Sequence, residues 1–164
     1  MGDIDDRLRA AGIELPTKVD RGAGLVPCVQ HGDLLFVSGH GPADNDGNLL
    51  YKGRVGAEVT LEEAYDAARV TGVQLLRSIR DHLGDLDRVE RIVKALAFVN
   101  SADDFHDQPA VVHGFSDLMT EIFGERGRHA RSAIGTSNLP MNQPVEIELI
   151  VAVRSPWMSA KPLS

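Results

Sequence analysis

The sequence is short of cysteine, aromatic residues and positive charge. Cys28 is the only cysteine among 164 residues, which excludes an internal disulfide and a thiolate metal cluster. Aromatic residues make up 5%, with a single tryptophan, so there is no interleaving of basic and aromatic side chains of the kind that stacks nucleobases. Lys and Arg number 17 against 24 Asp and Glu, a net charge of −7. That balance disfavours a broad phosphate-binding surface and fits a small anion held by one or two arginines. No apolar run approaches the ~20 residues of a membrane span. The segment Met1 to Leu15 alternates charged and apolar residues and lacks the basic start and apolar core of a secretion signal. The expectation is a cytoplasmic protein without a membrane partner.

What is present suits one globular domain, with 43% hydrophobic and 25% charged residues. Ile4, Leu8 and Ala11 fall at helical spacing and predict a short helix within Asp3 to Ile13. Residues 1–24 then read as this helix plus an extended linker, 25–154 as the main domain, and 155–164 as a polar tail with Trp157 as a docking residue. Leu25 to Gln30 and Leu34 to Ser38 read as strands joined around His31-Gly32-Asp33, with a further short strand near Leu49 to Tyr51. Leu61 to Leu83 keeps a 3.6-residue apolar period, opens with a Thr60–Glu63 capping box and stops at Gly84. Val89 to Asn100 predicts a buried strand, and Ala110 to Phe123 a second amphipathic helix ending at Gly124. Strands over Ser132 to Ser137 and Val145 to Val153 close the order. Two long helices against one mixed sheet is an α+β layer arrangement.

The candidate chemistry is sparse. Six histidines, at 31, 40, 82, 106, 113 and 129, form no metal-ligand motif, so no metal is expected. Ser38, in "FVSGHGP", lies outside a nucleophile elbow, and its glycines do not make a phosphate loop. They allow close approach of a ligand to the backbone, or simply mark a sharply turning strand end. Arg131 precedes small residues, Ser132, Ala133 and Gly135, which leave room beside it. It suits bidentate capture of a carboxylate, or a structural ion pair with Glu146 or Glu148. Alternation puts both glutamates on the face opposite Val145, Ile147 and Leu149, where solvent exposure and catalysis are both open. If the last two strands form a hairpin turning near Met141, Glu146 lies opposite Thr136. Arg131 is then well over ~10 Å away and shares a site with Glu146 only across a subunit boundary.

"LFVSGHGP", the long helix, "RVERIVKALAFVNSADDF", the second helix, "ARSAIGTSNLP" and "VEIELIVAV" resemble the RidA (YjgF) family over roughly Leu25 to Val153. The extra N-terminal helix and "FGERGRHARS" resemble its longer branch, often labelled endoribonuclease- or translation-inhibitor-like. The resemblance implies a chorismate-mutase-like α+β fold, homotrimers with clefts between subunits, and no cofactor. It implies hydrolytic deamination of reactive enamines and imines such as 2-aminoacrylate to a 2-keto acid and ammonia.

Matched by motif, Arg131 would bind the substrate carboxylate and Glu146 would position the attacking water, while Ser38 and Gly39 would line the pocket. Cys28 stands where characterised deaminases carry a tyrosine, and His113 stands near an asparagine position. Both can hydrogen-bond, but both depart from the family pattern and open the choice of substrate. A non-catalytic trimer that binds a small metabolite is the alternative. RNA cleavage follows only from the family label, and the acidic charge balance argues against it. The resemblance gives no role to Glu148 or to the N-terminal helix.

Overall fold

A computed structural model describes residues 2–16 and 24–154 of the chain. The predicted linker and tail, including Trp157, lie largely or wholly outside these residues. The elements are α1 (Asp3–Ala10), β1 (Cys28–His31), β2 (Leu34–His40), α2 (Leu61–Leu83), β3 (Val89–Asn100), α3 (Gln108–Phe123), β4 (Ala130–Thr136) and β5 (Val145–Val153). Both long helices, the main strands and the N-terminal helix stand where the periodicity puts them. Leu49 to Tyr51 does not form the expected strand: a single bridge, Ala43 to Leu49, is all the backbone makes there. Asp44 instead closes that loop on itself, accepting from the N–H groups of Asp46 and Asn48.

The five strands form one sheet in the order β1-β2-β5-β3-β4. β1, β2, β5 and β3 pair antiparallel in turn, whereas β4 pairs parallel to β3 after the α3 crossover. This corrects the hairpin assumed for the last two strands. β3 lies between β4 and β5, pairing Arg131 with Ala95 on one side and Glu146 with Phe98 on the other. The α3 crossover allows β4 to pair parallel with β3, and β5 takes the opposite edge of β3. Asn100 anchors the intervening loop by donating from Nδ2 to Asn142 Oδ1 and the Gln143 carbonyl, both at 3.2 Å.

Both long helices cover one face of the sheet. Leu75, Leu76 and Ile79 of α2 and Phe115, Leu118 and Ile122 of α3 are fully buried with Leu35, Ile92, Ala95, Ile147 and Val151. Thr60 caps α2 through the reciprocal box with Glu63, and Gly84 ends it in the left-handed conformation. The helices approach closely because Gly114 has no side chain, since a Cβ there would collide with the Tyr65 carbonyl. Tyr65 donates to Asp117 at 2.8 Å and Arg69 pairs with Glu121 at 2.6 Å along the same seam. α1 buries Ile4 and Leu8, and Arg7 reaches the Ile122 carbonyl at the C-terminal end of α3. A cation there complements the helix dipole, a structural role for the N-terminal helix.

The other sheet face carries Val29, Phe36 and Ile134, all exposed, beside half-buried Leu96, Phe98 and Ile150. Among the described residues no helix lies over this face.

Candidate functional site

The alternation of β4 turns Arg131 toward the helices, at the free edge of the sheet. Its Nη1 donates to Ser116 Oγ at 3.0 Å, and its Nη2 donates to the Pro109 carbonyl at 3.3 Å, both on α3. No ion pair joins it to Glu146 or Glu148; among the described residues its polar contacts lie on α3. Desolvation lowers its pKa, while the nearby Asp117 carboxylate acts the other way.

Ser116 is also bonded to His129, whose Nε2 lies 3.1 Å from the hydroxyl. The other ring nitrogen, Nδ1, lies 2.6 Å from the Gly127 carbonyl. A carbonyl only accepts, so Nδ1 carries the proton, and the neutral ring accepts from Ser116 at Nε2. The edge of Phe115 packs against the imidazole at a centroid distance of 5.3 Å. Desolvation first, and the Arg131 charge as well, lower the His129 pKa against the opposing pull of the Gly127 carbonyl. His113 is exposed one turn before Ser116 and shares a groove with Tyr65 and Asp117.

Glu146 stands on the helix-free face. Its Oε2 accepts from Gln143 Nε2 at 2.7 Å, and its carboxylate lies against Gly39, where any Cβ would collide with it. Gly39 and Ser38 sit at the register shift between β2 and β5. Ser38 donates from Oγ to the Val26 carbonyl at 2.8 Å. Behind this turn lies a cavity of about 360 Å³, lined among others by Gly39, Gly41, Gln74, Arg77 and Gln143. Arg77 is 2% exposed. It donates to Ser78 Oγ, and Ser78 in turn lies 2.7 Å from His40 Nε2, while His40 Nδ1 lies 2.6 Å from the Ser38 carbonyl. The same Arg–Ser–His–carbonyl sequence of bonds therefore occurs in both regions. Cys28 is buried, with its thiol directed to the Ser78 carbonyl on α2 at 3.5 Å.

Six residues singled out from the sequence thus fall into two regions of one chain. Arg131 and His113 occupy the α3–β4 edge, whereas Glu146, Ser38 and Gly39 occupy the β2–β5 end, with Cys28 behind them under α2. Arg131 and Glu146 are two strands and three β3 positions apart, on the order of 14 Å, and point to opposite faces of the sheet. The corrected register keeps the separation expected from the sequence, for a different reason. Ser116, His129, Gln143, His40 and Arg77 were not anticipated as parts of these regions. His129, just before β4 and two residues from Arg131, and His40, inside "FVSGHGP", were the detectable signals; Ser116 and Arg77 come from other elements and left none.

A mixed five-stranded sheet with two long helices on one face defines an α+β protein of the chorismate-mutase-like class. The chain belongs to the YjgF family, described as "YjgF/chorismate_mutase-like, putative endoribonuclease", whose profile matches residues 5–153. It is 39% identical over 155 residues to Protein TCP17 of Trypanosoma cruzi, covering 94% of this chain and 96% of that one. Among solved structures it is similar to Atu1372 of Agrobacterium tumefaciens, at 38% identity and a TM-score of 0.84, over 92% of this chain and 91% of that one. A protein of Shewanella oneidensis described as a putative endoribonuclease is 32% identical, with a TM-score of 0.87, over 92% and 99% of the two chains. Among the described residues no helix is long and apolar enough to cross a membrane.

Proposed function

We propose that the protein hydrolyses reactive imines bearing a carboxylate, of the 2-aminoacrylate type, to a 2-keto acid and ammonia. The observation that carries this reading is the presence of both a partly desolvated arginine at one sheet edge and a carboxylate seated against the side-chain-free Gly39 at the β2–β5 register shift. The family's motifs supply the same two groups. Arg131 holds the substrate carboxylate, and Glu146, oriented by Gln143 and given room by Gly39, holds water against the imine carbon. The enamine first tautomerises to its imine. Water oxygen then bonds to C2 as Glu146 accepts its proton, and the proton is returned to nitrogen. The carbinolamine C–N bond then breaks as the hydroxyl proton passes, through Glu146, to the leaving nitrogen, releasing ammonia and leaving the keto acid. An imine carbon is already electrophilic, so orientation and proton transfer are enough, and the step requires no cofactor.

Because Arg131 and Glu146 lie apart in one chain, the working site is composed from two subunits of a homotrimer. The helix-free sheet face of the described residues supports this, since Val29, Phe36 and Ile134 form with their half-buried neighbours an apolar surface suited to a subunit contact. In this arrangement Ser38 and His113 come from different subunits and flank the substrate, with Cys28 behind the turn, and the protein acts in the cytoplasm.

The test is pyruvate formation from 2-aminoacrylate generated in situ. Wild-type protein accelerates it, Glu146→Gln lowers kcat on the order of 10²- to 10⁴-fold, and Arg131→Ala raises KM about 10- to 100-fold. Carboxylate binding that needs Arg131 but brings no acceleration would instead identify a metabolite-binding trimer.

A further inference from the structure

The Arg131 side of the site contains two groups that neither the family motifs nor the proposed hydrolysis uses. We infer that Ser116 and His129 complete the carboxylate receptor: Ser116 donates a second hydrogen bond to the anion held by Arg131, and His129 supplies the proton that frees it to do so. The inference deepens the reading of Arg131 as a carboxylate clamp and rests on it.

The argument is one of donors and acceptors. A serine hydroxyl has one proton and two lone pairs. Without an anion, Arg131 Nη1 fills one lone pair at 3.0 Å and the proton points to His129 Nε2 at 3.1 Å. His129 cannot accept this proton at its other nitrogen, because Nδ1–H is fixed on the Gly127 carbonyl at 2.6 Å. A second proton on the ring must therefore enter at Nε2. It turns Nε2 from acceptor to donor, and Ser116 Oγ then accepts from both His129 and Arg131. The serine proton is released toward whatever lies beside the guanidinium. A carboxylate there meets two donors, Nη1 and Oγ, whose 3.0 Å separation suits its two oxygens.

Charge balance gives the same direction. In the empty site a proton on His129 faces the Arg131 cation and a desolvated setting, and both keep the ring neutral. A bound carboxylate cancels the first of these and adds an attraction through Ser116. Asp117 on α3 faces Arg131 in both states, and His113 stands one turn away on the same helix. In the turn before β4, Glu125 and Arg128 face each other at 3.4 Å. Lys94 on β3 bonds Ser132 on the other sheet face at 2.8 Å. His113 also flanks the anion but is not bonded to Ser116 or Arg131, so of the two rings only His129 is switched through the serine hydroxyl. By linkage, the anion raises the His129 pKa and acidification tightens binding, by up to about tenfold per pH unit between the free and bound values. Ser116 is a contact residue here, and His129 acts through it as a positioning residue.

The experiment follows the His129 ring resonances of the full-length wild-type protein by NMR from pH 5 to 8, with and without saturating pyruvate. Calorimetry of the same binding in buffers of different ionisation enthalpy counts the protons taken up. The expected result is a rise in the His129 pKa on binding and net proton uptake near and below neutrality. His129→Gln abolishes the uptake while binding persists, and Ser116→Ala weakens binding about tenfold and uncouples it from pH. Pyruvate binding that depends on Arg131 but leaves the His129 titration unmoved overturns this inference alone. Binding indifferent to Arg131→Ala, or no binding at all, overturns the clamp and the inference together.

Discussion

At the scale of single residues, the chemistry turns on what Gly39 leaves out. The Glu146 carboxylate occupies the volume a Cβ at position 39 would need, and Gln143 fixes its other oxygen at 2.7 Å. Gly39→Ala therefore displaces the carboxylate while leaving the β2 backbone in a conformation open to alanine. The expected outcome is a kcat loss approaching that of Glu146→Gln, with pyruvate affinity within about twofold of wild type because the Arg131 receptor is untouched. Steady-state kinetics beside pyruvate titration checks it, and equal loss in both would show that Gly39 serves the anion instead. Arg131 and Glu146 were legible because short motifs carry them. Ser116, Arg77 and Gln143 were not, since a serine or glutamine in a helix or loop gains meaning only from what another element brings beside it. Cys28 was legible as a departure but not as a direction: its burial against Ser78 follows from strand alternation combined with the position of α2.

At the scale of elements, periodicity identified both long helices, the capping box and every strand of the sheet. It did not identify the strand order. Apolar runs look alike whether they pair with the next strand or with one fifty residues earlier, so "ARSAIGT" and "VEIELIVAV" read as a hairpin although β3 separates them. The observed pairing decides it: β3, α3 and β4 form a βαβ unit with β4 at the sheet edge, and β5 pairs with the other side of β3 instead of with β4. The seam between α2 and α3 sets where Ser116 meets Arg131, and that seam closes over Gly114. Gly114→Ala pushes the helices apart and is expected to cost about 1–3 kcal/mol of stability. Chemical denaturation measures it. A neutral effect would show that the seam relaxes freely and does not hold the receptor's geometry.

For the whole molecule, the central claim is that one chain carries two halves of different sites. Arg131 and Glu146 lie on opposite sheet faces and on the order of 14 Å apart, so neither half reaches the other without a second copy. In the proposed trimer the copies meet on the face bearing Phe36 and Ile134, over which no helix lies among the described residues. The most direct measurement mixes two impaired proteins, Arg131→Ala and Glu146→Gln, under conditions that exchange subunits, and assays imine hydrolysis at substrate concentrations well below the raised KM of Arg131→Ala, where both have little activity. If each site takes its arginine from one subunit and its glutamate from the next, a random equal mixture of trimers restores about one quarter of wild-type activity. If the two groups serve within one chain, every site in every mixed trimer keeps one lesion, and the mixture shows only the average of the two parents' residual activities.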